Sequence, residues 1–145
     1  MQTSPAVANG TVYVGSGGGT VYALSANDGT RQWSFDTGFG RSSPAVVNET
    51  VYVGGAKNVY ALSAENGTER WAFQTGFRVW SSPAVANDTV YVGSTDNNVY
   101  AVSTDNGTEQ WSYETGDRVL SSPAVANGTV YVGSHDSNVY ALSEQ

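Results

Sequence analysis

A chain of 145 residues is long enough for one ordinary domain, and 39% hydrophobic residues with 12% aromatics and 17 glycines is the composition of a turn-rich β fold, not of a disordered segment. Six basic residues against 13 acidic ones give a formal net charge of −7, which repels a nucleic-acid backbone, and the absence of cysteine excludes both a disulfide framework and a thiolate metal site. No apolar run approaches the ~18 residues a membrane helix needs and no leader-like segment is present, so neither a membrane span nor a signal peptide is expected within these residues.

The acidic, lysine-poor surface suits solubility in concentrated salt and so a halophilic source. Along the chain, Ser-Pro-Ala-Val begins at Ser4 and returns at Ser43, Ser82 and Ser122, spaced by 39, 39 and 40 residues. That period is the length of a β-propeller blade. Val-Tyr-Val-Gly returns in step from Val12, Val51, Val90 and Val130, and Val-Tyr-Ala from Val21, Val59, Val99 and Val139.

Each unit reads as four short strands. Strand A is Ser-Pro-Ala-Val-Ala, strand B is Thr-Val-Tyr-Val-Gly, strand C is Val-Tyr-Ala-Leu-Ser, and strand D is built around Trp33-Ser34-Phe35. β-Branched and aromatic residues dominate all four. Between A and B stand Asn9-Gly10, Asn48-Glu49, Asn87-Asp88 and Asn127-Gly128, dipeptides that supply the positive φ of a two-residue hairpin. The C–D connections carry Asp28-Gly29, Asn66-Gly67 and Asn106-Gly107, which is again turn chemistry. The unit is therefore predicted to be a four-stranded antiparallel meander, and the fold all-β.

Strands B and C are apolar at nearly every position, as strands covered on both faces are. Strand D alternates, with Trp33/Phe35, Trp71/Phe73 and Trp111/Tyr113 on one side, and is placed at the outer edge. The units are bounded as blade 1 over 1–39, blade 2 over 40–78, blade 3 over 79–118 and a partial blade 4 over 119–145, which lacks its strand D.

The unit Val-Tyr-Ala-Leu-Ser-Ala-x-x-Gly-Thr-x-x-Trp resembles the PQQ-like β-propeller repeat with its tryptophan-docking motif. Three copies in register carry the resemblance: Ala23/Gly29/Trp33, Ala61/Gly67/Trp71 and Ala101/Gly107/Trp111. The resemblance implies that Trp33, Trp71 and Trp111 are the strand-D docking residues, with Gly29, Gly67 and Gly107 as the turn glycines of the same structural motif. Ser25, Ser63 and Ser103 stand where the family usually has Asp. Family members most often have seven or eight blades, and the resemblance favours an extracellular or cell-surface location.

An arc of four blades leaves two apolar blade faces bare, more than a soluble monomer tolerates. The expectation is a homodimer in which two arcs close an eight-bladed ring about a two-fold axis. A closed four-bladed monomer is the alternative.

Candidate chemistry is sparse. The single histidine, His135, lies in a B–C turn whose counterpart is Thr95, and surface variation explains it better than a ligand or base role. Asp96-x-Asn98 and Asp136-x-Asn138 offer oxygens to a hard cation, but side-chain capping of a turn is the commoner use of this pattern, and no metal site is expected. Gly15-Ser-Gly-Gly-Gly19 joins two strands with no helix after it, so it is a hairpin and not a phosphate cradle. Asn-x-Thr occurs at Asn9, Asn48, Asn66, Asn87, Asn106 and Asn127, all in turns that need asparagine for backbone geometry.

The D–A connections vary most: Phe39-Gly40-Arg41, Phe77-Arg78-Val79-Trp80 and Asp117-Arg118-Val119-Leu120. Such connections rim the channel of a propeller. Arg41, Arg78, Arg118 and Trp80 are the candidate ligand-binding residues, suited to an anionic or planar ligand by bidentate pairing and stacking. Within the family, quinoprotein dehydrogenases hold pyrroloquinoline quinone and calcium, but with a vicinal disulfide and long insertions that have no counterpart here. No catalytic residue and no cofactor are assigned. The expected function is a non-catalytic scaffold or binding surface for a protein or small ligand. Two alternatives are a fragment of a quinone-dependent dehydrogenase and an amplified or engineered repeat with no role beyond folding.

Overall fold

The computed structural model describes residues 3–143. Four antiparallel sheets follow one another along the chain, and the described residues contain no helix. The first sheet is β1 (Ala6–Ala8), β2 (Thr11–Gly15), β3 (Thr20–Ser25) and β4 (Arg31–Asp36), hydrogen-bonded in sequence order. The second is β5 (Ala45–Val47), β6 (Thr50–Gly54), β7 (Asn58–Ser63) and β8 (Glu69–Gln74), and the third is β9 (Ala84–Ala86), β10 (Thr89–Gly93), β11 (Asn98–Ser103) and β12 (Glu109–Glu114). The fourth has three described strands, β13 (Ala124–Ala126), β14 (Thr129–Gly133) and β15 (Val139–Ser143). These are the blades of an open propeller arc, with the Trp-bearing strand at the outer edge of each complete blade.

The hairpin turns have the predicted backbone. Asn9/Gly10, Asn48/Glu49, Asn87/Asp88 and Asn127/Gly128 all have positive φ, from 48° to 76°. At the C–D turns, Oδ1 of Asp28, Asn66 and Asn106 accepts hydrogen bonds from the backbone N–H and hydroxyl of Thr30, Thr68 and Thr108. The hydrogen bonds hold the turn glycine in place, and its own N–H donates to the carbonyl of Ser25, Ser63 or Ser103.

A feature that strand periodicity does not announce is a β-bulge in each C–D pair. Ala23 faces Trp33 while Leu24 faces Arg31, so Gln32 is the extra residue; Arg70 and Gln110 occupy the same place in the next two blades. Each of these side chains turns back to the strand-B threonine. The Thr11 hydroxyl donates to Gln32, the Thr89 hydroxyl to Gln110, and Arg70 donates to Thr50. Bulges sharpen local twist and re-aim side chains.

The core lies between the blades, not within one. Trp33 packs on Tyr13 with 5.9 Å between ring centroids, and its Nε1 donates to the Ala64 carbonyl at 2.9 Å across the interface. Trp71 repeats this with Tyr52 and the Thr104 carbonyl, at 5.9 and 2.8 Å. Edge contacts of Phe35 with Tyr60 and of Phe73 with Tyr100 lie beside them. Near the innermost strands a serine seam joins successive blades: the Ser4 N–H donates to Ser43 Oγ, Ser43 to Ser82, and Ser82 to Ser122, at 2.8 to 2.9 Å.

The two-faced burial expected of strands B and C holds for the inner blades only. Every residue of β6 and β10 is buried, whereas β2 and β14 alternate between buried and more exposed positions. The outward faces of blades 1 and 4 have no neighbour among the described residues.

Candidate functional site

Two kinds of loop meet along one rim of the arc. Each D–A connection leaves the outer strand and returns to the inner one, and the next blade's B–C turn buttresses it. The Arg78 carbonyl accepts the Thr95 N–H at 2.9 Å, the Arg118 carbonyl accepts the His135 N–H at 2.9 Å, and Thr37 accepts from Ala56 at 3.1 Å. Val79 and Val119 are fully buried beneath these loops. A Cβ added at Gly54 or Gly93 would fall 2.5 or 2.3 Å from their Cγ1 atoms, so the strand-B glycine is what lets the loop close down.

On this base, three of the four predicted ligand-binding residues come together. The Arg41 guanidinium lies 4.7 Å from the Trp80 ring centroid, and that of Arg78 lies 5.4 Å from the same ring. Two aromatics that sequence reasoning left out complete the group. Arg78 is 5.5 Å from both Phe39 and Phe77, and Phe39 meets Trp80 edge-on at 6.2 Å. The signal for them was present as Phe39 two residues before Arg41 and Phe77 beside Arg78. The Trp80 indole N–H is enclosed without an acceptor among the described residues.

Arg118 stands apart from this group. Its guanidinium lies 3.9 Å from the Asp117 carboxylate, the one ion pair among the described residues, and Leu120 takes the place that Trp80 has one blade earlier.

The other candidates are used locally. The Asp136 carboxylate accepts the Tyr140 hydroxyl, the Gly116 N–H across the blade interface and the Asn138 N–H. The tyrosine bond above all holds Asp136 down at about 2, against an ordinary 3.8. Asp96 is bound in the same way by Tyr100, Gly76 and Asn98. Burial first, and then the bond to Asp96, raise the Tyr100 hydroxyl above its usual range. These carboxylates are turn caps that also clasp the preceding blade. Among the described residues no three His, Asp or Glu side chains gather into a metal-binding group. His135 is exposed, and Gly15–Gly19 forms a hairpin connection between β2 and β3.

Of the predicted docking residues, Trp33 lies on Gly67 and Trp71 on Gly107, where an added Cβ would stand 2.5 and 2.6 Å from the indole. Nothing lies within 4 Å of a Cβ at Gly29. Trp111 packs on Tyr91, and its indole N–H has no acceptor among the described residues. On the opposite rim of the arc, a cleft of about 920 Å³ opens between blades 1 and 2, bordered by Gln32, Glu49, Glu65 and Arg70.

Antiparallel four-stranded blades packed face to face, with their variable loops gathered at one end, define a segment of a β-propeller. The chain belongs to the PQQ-like β-propeller repeat family: the family model described as outer membrane protein assembly factor BamB matches residues 1–75 and again 37–145. Among solved structures, BamB from Moraxella catarrhalis superposes with a TM-score of 0.81 at 19% identity, over 92% of this chain and 46% of that one. The computationally designed Ika4 protein gives 0.86 at 15% identity, over 99% and 92%. Quinohemoprotein alcohol dehydrogenase from Comamonas testosteroni gives 0.82 at 20% identity, over 92% and 29%. The chain thus spans about half the length of the BamB structure, and at these identities the likeness is one of fold. No curated protein matches the chain. No helix of the described residues is long and apolar enough to cross a membrane.

Proposed function

We propose that this chain is a non-catalytic propeller scaffold that pairs head to tail with a second copy to close an eight-bladed ring, and that the D–A loops of the ring present its binding surface. The observation that carries the pairing is the mismatch between equivalent positions. Val59 and Val99 are 0% exposed between blades while Val139 is 80% exposed, and Tyr52 and Tyr91 are 4% and 3% exposed while Tyr131 is 44% exposed. The bare forward face of blade 4 is the surface that blades 2 and 3 bury.

Its complement is the backward face of blade 1, where Val12, Val14, Tyr22 and Leu24 stand at the positions of the buried Val51, Val53 and Leu62 and the half-buried Tyr60. The serine seam points the same way. One more step of it takes the Ser122 N–H to Ser4 Oγ of a second copy. Burying these faces is favoured at about 25 cal/mol per Å² of apolar surface. A two-fold axis satisfies both ends at once. The non-catalytic part of the reading is supported by short loops and by a lone histidine whose counterpart is Thr95.

The test is the mass of the 145-residue chain in solution, by light scattering after size exclusion at low and at molar salt. A mass near twice 15.2 kDa is expected, and a persistent 15.2 kDa species would defeat the pairing.

A further inference from the structure

Two of the chain's six basic residues, Arg41 and Arg78, are placed around one tryptophan. Their distances to the Trp80 ring keep the two guanidiniums within roughly 10 Å of one another, about a Debye length at moderate salt, so their repulsion is felt. Among the described residues neither has a carboxylate within ion-pair distance, in a protein with 13 acidic side chains. The comparison within the chain sharpens this. The equivalent loop one blade on supplies Arg118 with its own acid, Asp117, and has no aromatic residue. Where Asp117 pairs with that arginine, Phe77 stands in the preceding copy and offers Arg78 no carboxylate.

The rings then fix what the charge is for. A guanidinium held over an aromatic face is attracted by the ring quadrupole and keeps its N–H edges directed outward in a fork that matches a carboxylate. Phe39 and Phe77 each lie 5.5 Å from the Arg78 guanidinium and are each 47% exposed, which leaves apolar surface beside the charge. An extended peptide with carboxylates separated by an apolar side chain meets all of these demands at once. A free inorganic anion would use the charge and leave the rings wet.

We propose that Arg41, Arg78 and Trp80, with Phe39 and Phe77, form a recognition site for an acidic peptide segment of a partner protein that carries apolar residues between its carboxylates. This rests on the binding-scaffold reading above and names its ligand. Arg118 is not part of the site.

The test follows the Trp80 indole and the Arg41 and Arg78 Nε–H resonances in ¹H–¹⁵N spectra. The probes are a blocked octapeptide of alternating aspartate and leucine, the same peptide with asparagine for aspartate, and sodium acetate. Saturable shifts at these resonances with the acidic peptide alone are expected. Arg41→Ala and Arg78→Ala should each weaken that binding by about tenfold or more, as loss of a charged hydrogen-bond partner does, while Arg118→Ala leaves it unchanged. Arg78→Lys, which keeps charge but not the fork, should fall between.

Acetate reproducing the shifts at the same affinity would overturn the peptide as ligand. Silence with the acidic peptide at every resonance would overturn both the site and the binding surface. Shifts confined to other loops would overturn the site alone and leave the scaffold reading standing.

Discussion

Trp71→Ala is expected to cost about 3–5 kcal/mol, the loss typical of a large aromatic side chain removed from a packed interior. Trp71 is the keystone between blades 2 and 3. Its ring lies on Tyr52 and Gly107, and its indole N–H donates to the Thr104 carbonyl at 2.8 Å. Truncation opens a cavity between two blades and leaves that carbonyl without its donor, which adds about 1 kcal/mol. Trp111→Ala provides the control: it is less deeply buried than Trp71 and its indole N–H has no acceptor among the described residues, so its loss should be markedly smaller. Urea unfolding followed by circular dichroism measures both. Equal losses would mean that the tryptophans stabilise their own blades and do not join neighbours.

Gly67→Ala should destabilise far more than Gly29→Ala, although the two glycines have the same backbone conformation, with φ of 73° and 74°. An alanine in this left-handed region costs about 1–2 kcal/mol at either site. At Gly29 that is the whole cost, because no heavy atom lies within 4 Å of the new Cβ. At Gly67 the Cβ would stand 2.5 Å from Trp33 Cε3, so the indole must move and its bond to Ala64 must stretch. Overpacking of this kind adds about 1–3 kcal/mol. The same urea experiment reads the difference, and identical midpoints for the two variants would show that Trp33 yields without cost.

The strands, their antiparallel order and the hairpin geometry were legible in the sequence because each rests on a local rule repeated four times. Asn9-Gly10 and Asn127-Gly128 announce positive φ, and Asn48-Glu49 and Asn87-Asp88 occupy the same place in the repeat. The bulge at Gln32, Arg70 and Gln110 was not legible. A single extra polar residue on an exposed edge strand leaves no trace in an alternation that is polar there already.

The candidate site was half legible, for a different reason. The sequence marks Arg41, Arg78 and Trp80 as variable loop residues near a channel, but whether they touch depends on the angle between blades, which no spacing within a blade encodes. That angle also admitted Phe39 and Phe77. Arg118 left the group through its neighbour Asp117, a pairing readable from two adjacent letters. For Asp96 and Asp136 the sequence pattern favours turn capping over metal ligation, and the hydroxyls of Tyr100 and Tyr140, four residues on, donate to them.

Ring closure is tested most directly by a cross-link at the seam it creates. The chain has no cysteine, so the double variant Ser4→Cys with Ser122→Cys carries the only thiols. Within one blade step the matching serines are a hydrogen bond apart, Ser82 N to Ser122 Oγ at 2.9 Å, close enough for a disulfide at the equivalent seam. Oxidised and run on a denaturing gel without reductant, the variant is predicted to migrate as a covalent pair of chains that collapses to single chains on reduction. A single chain made more compact by an internal bridge would contradict this and show a closed four-bladed monomer.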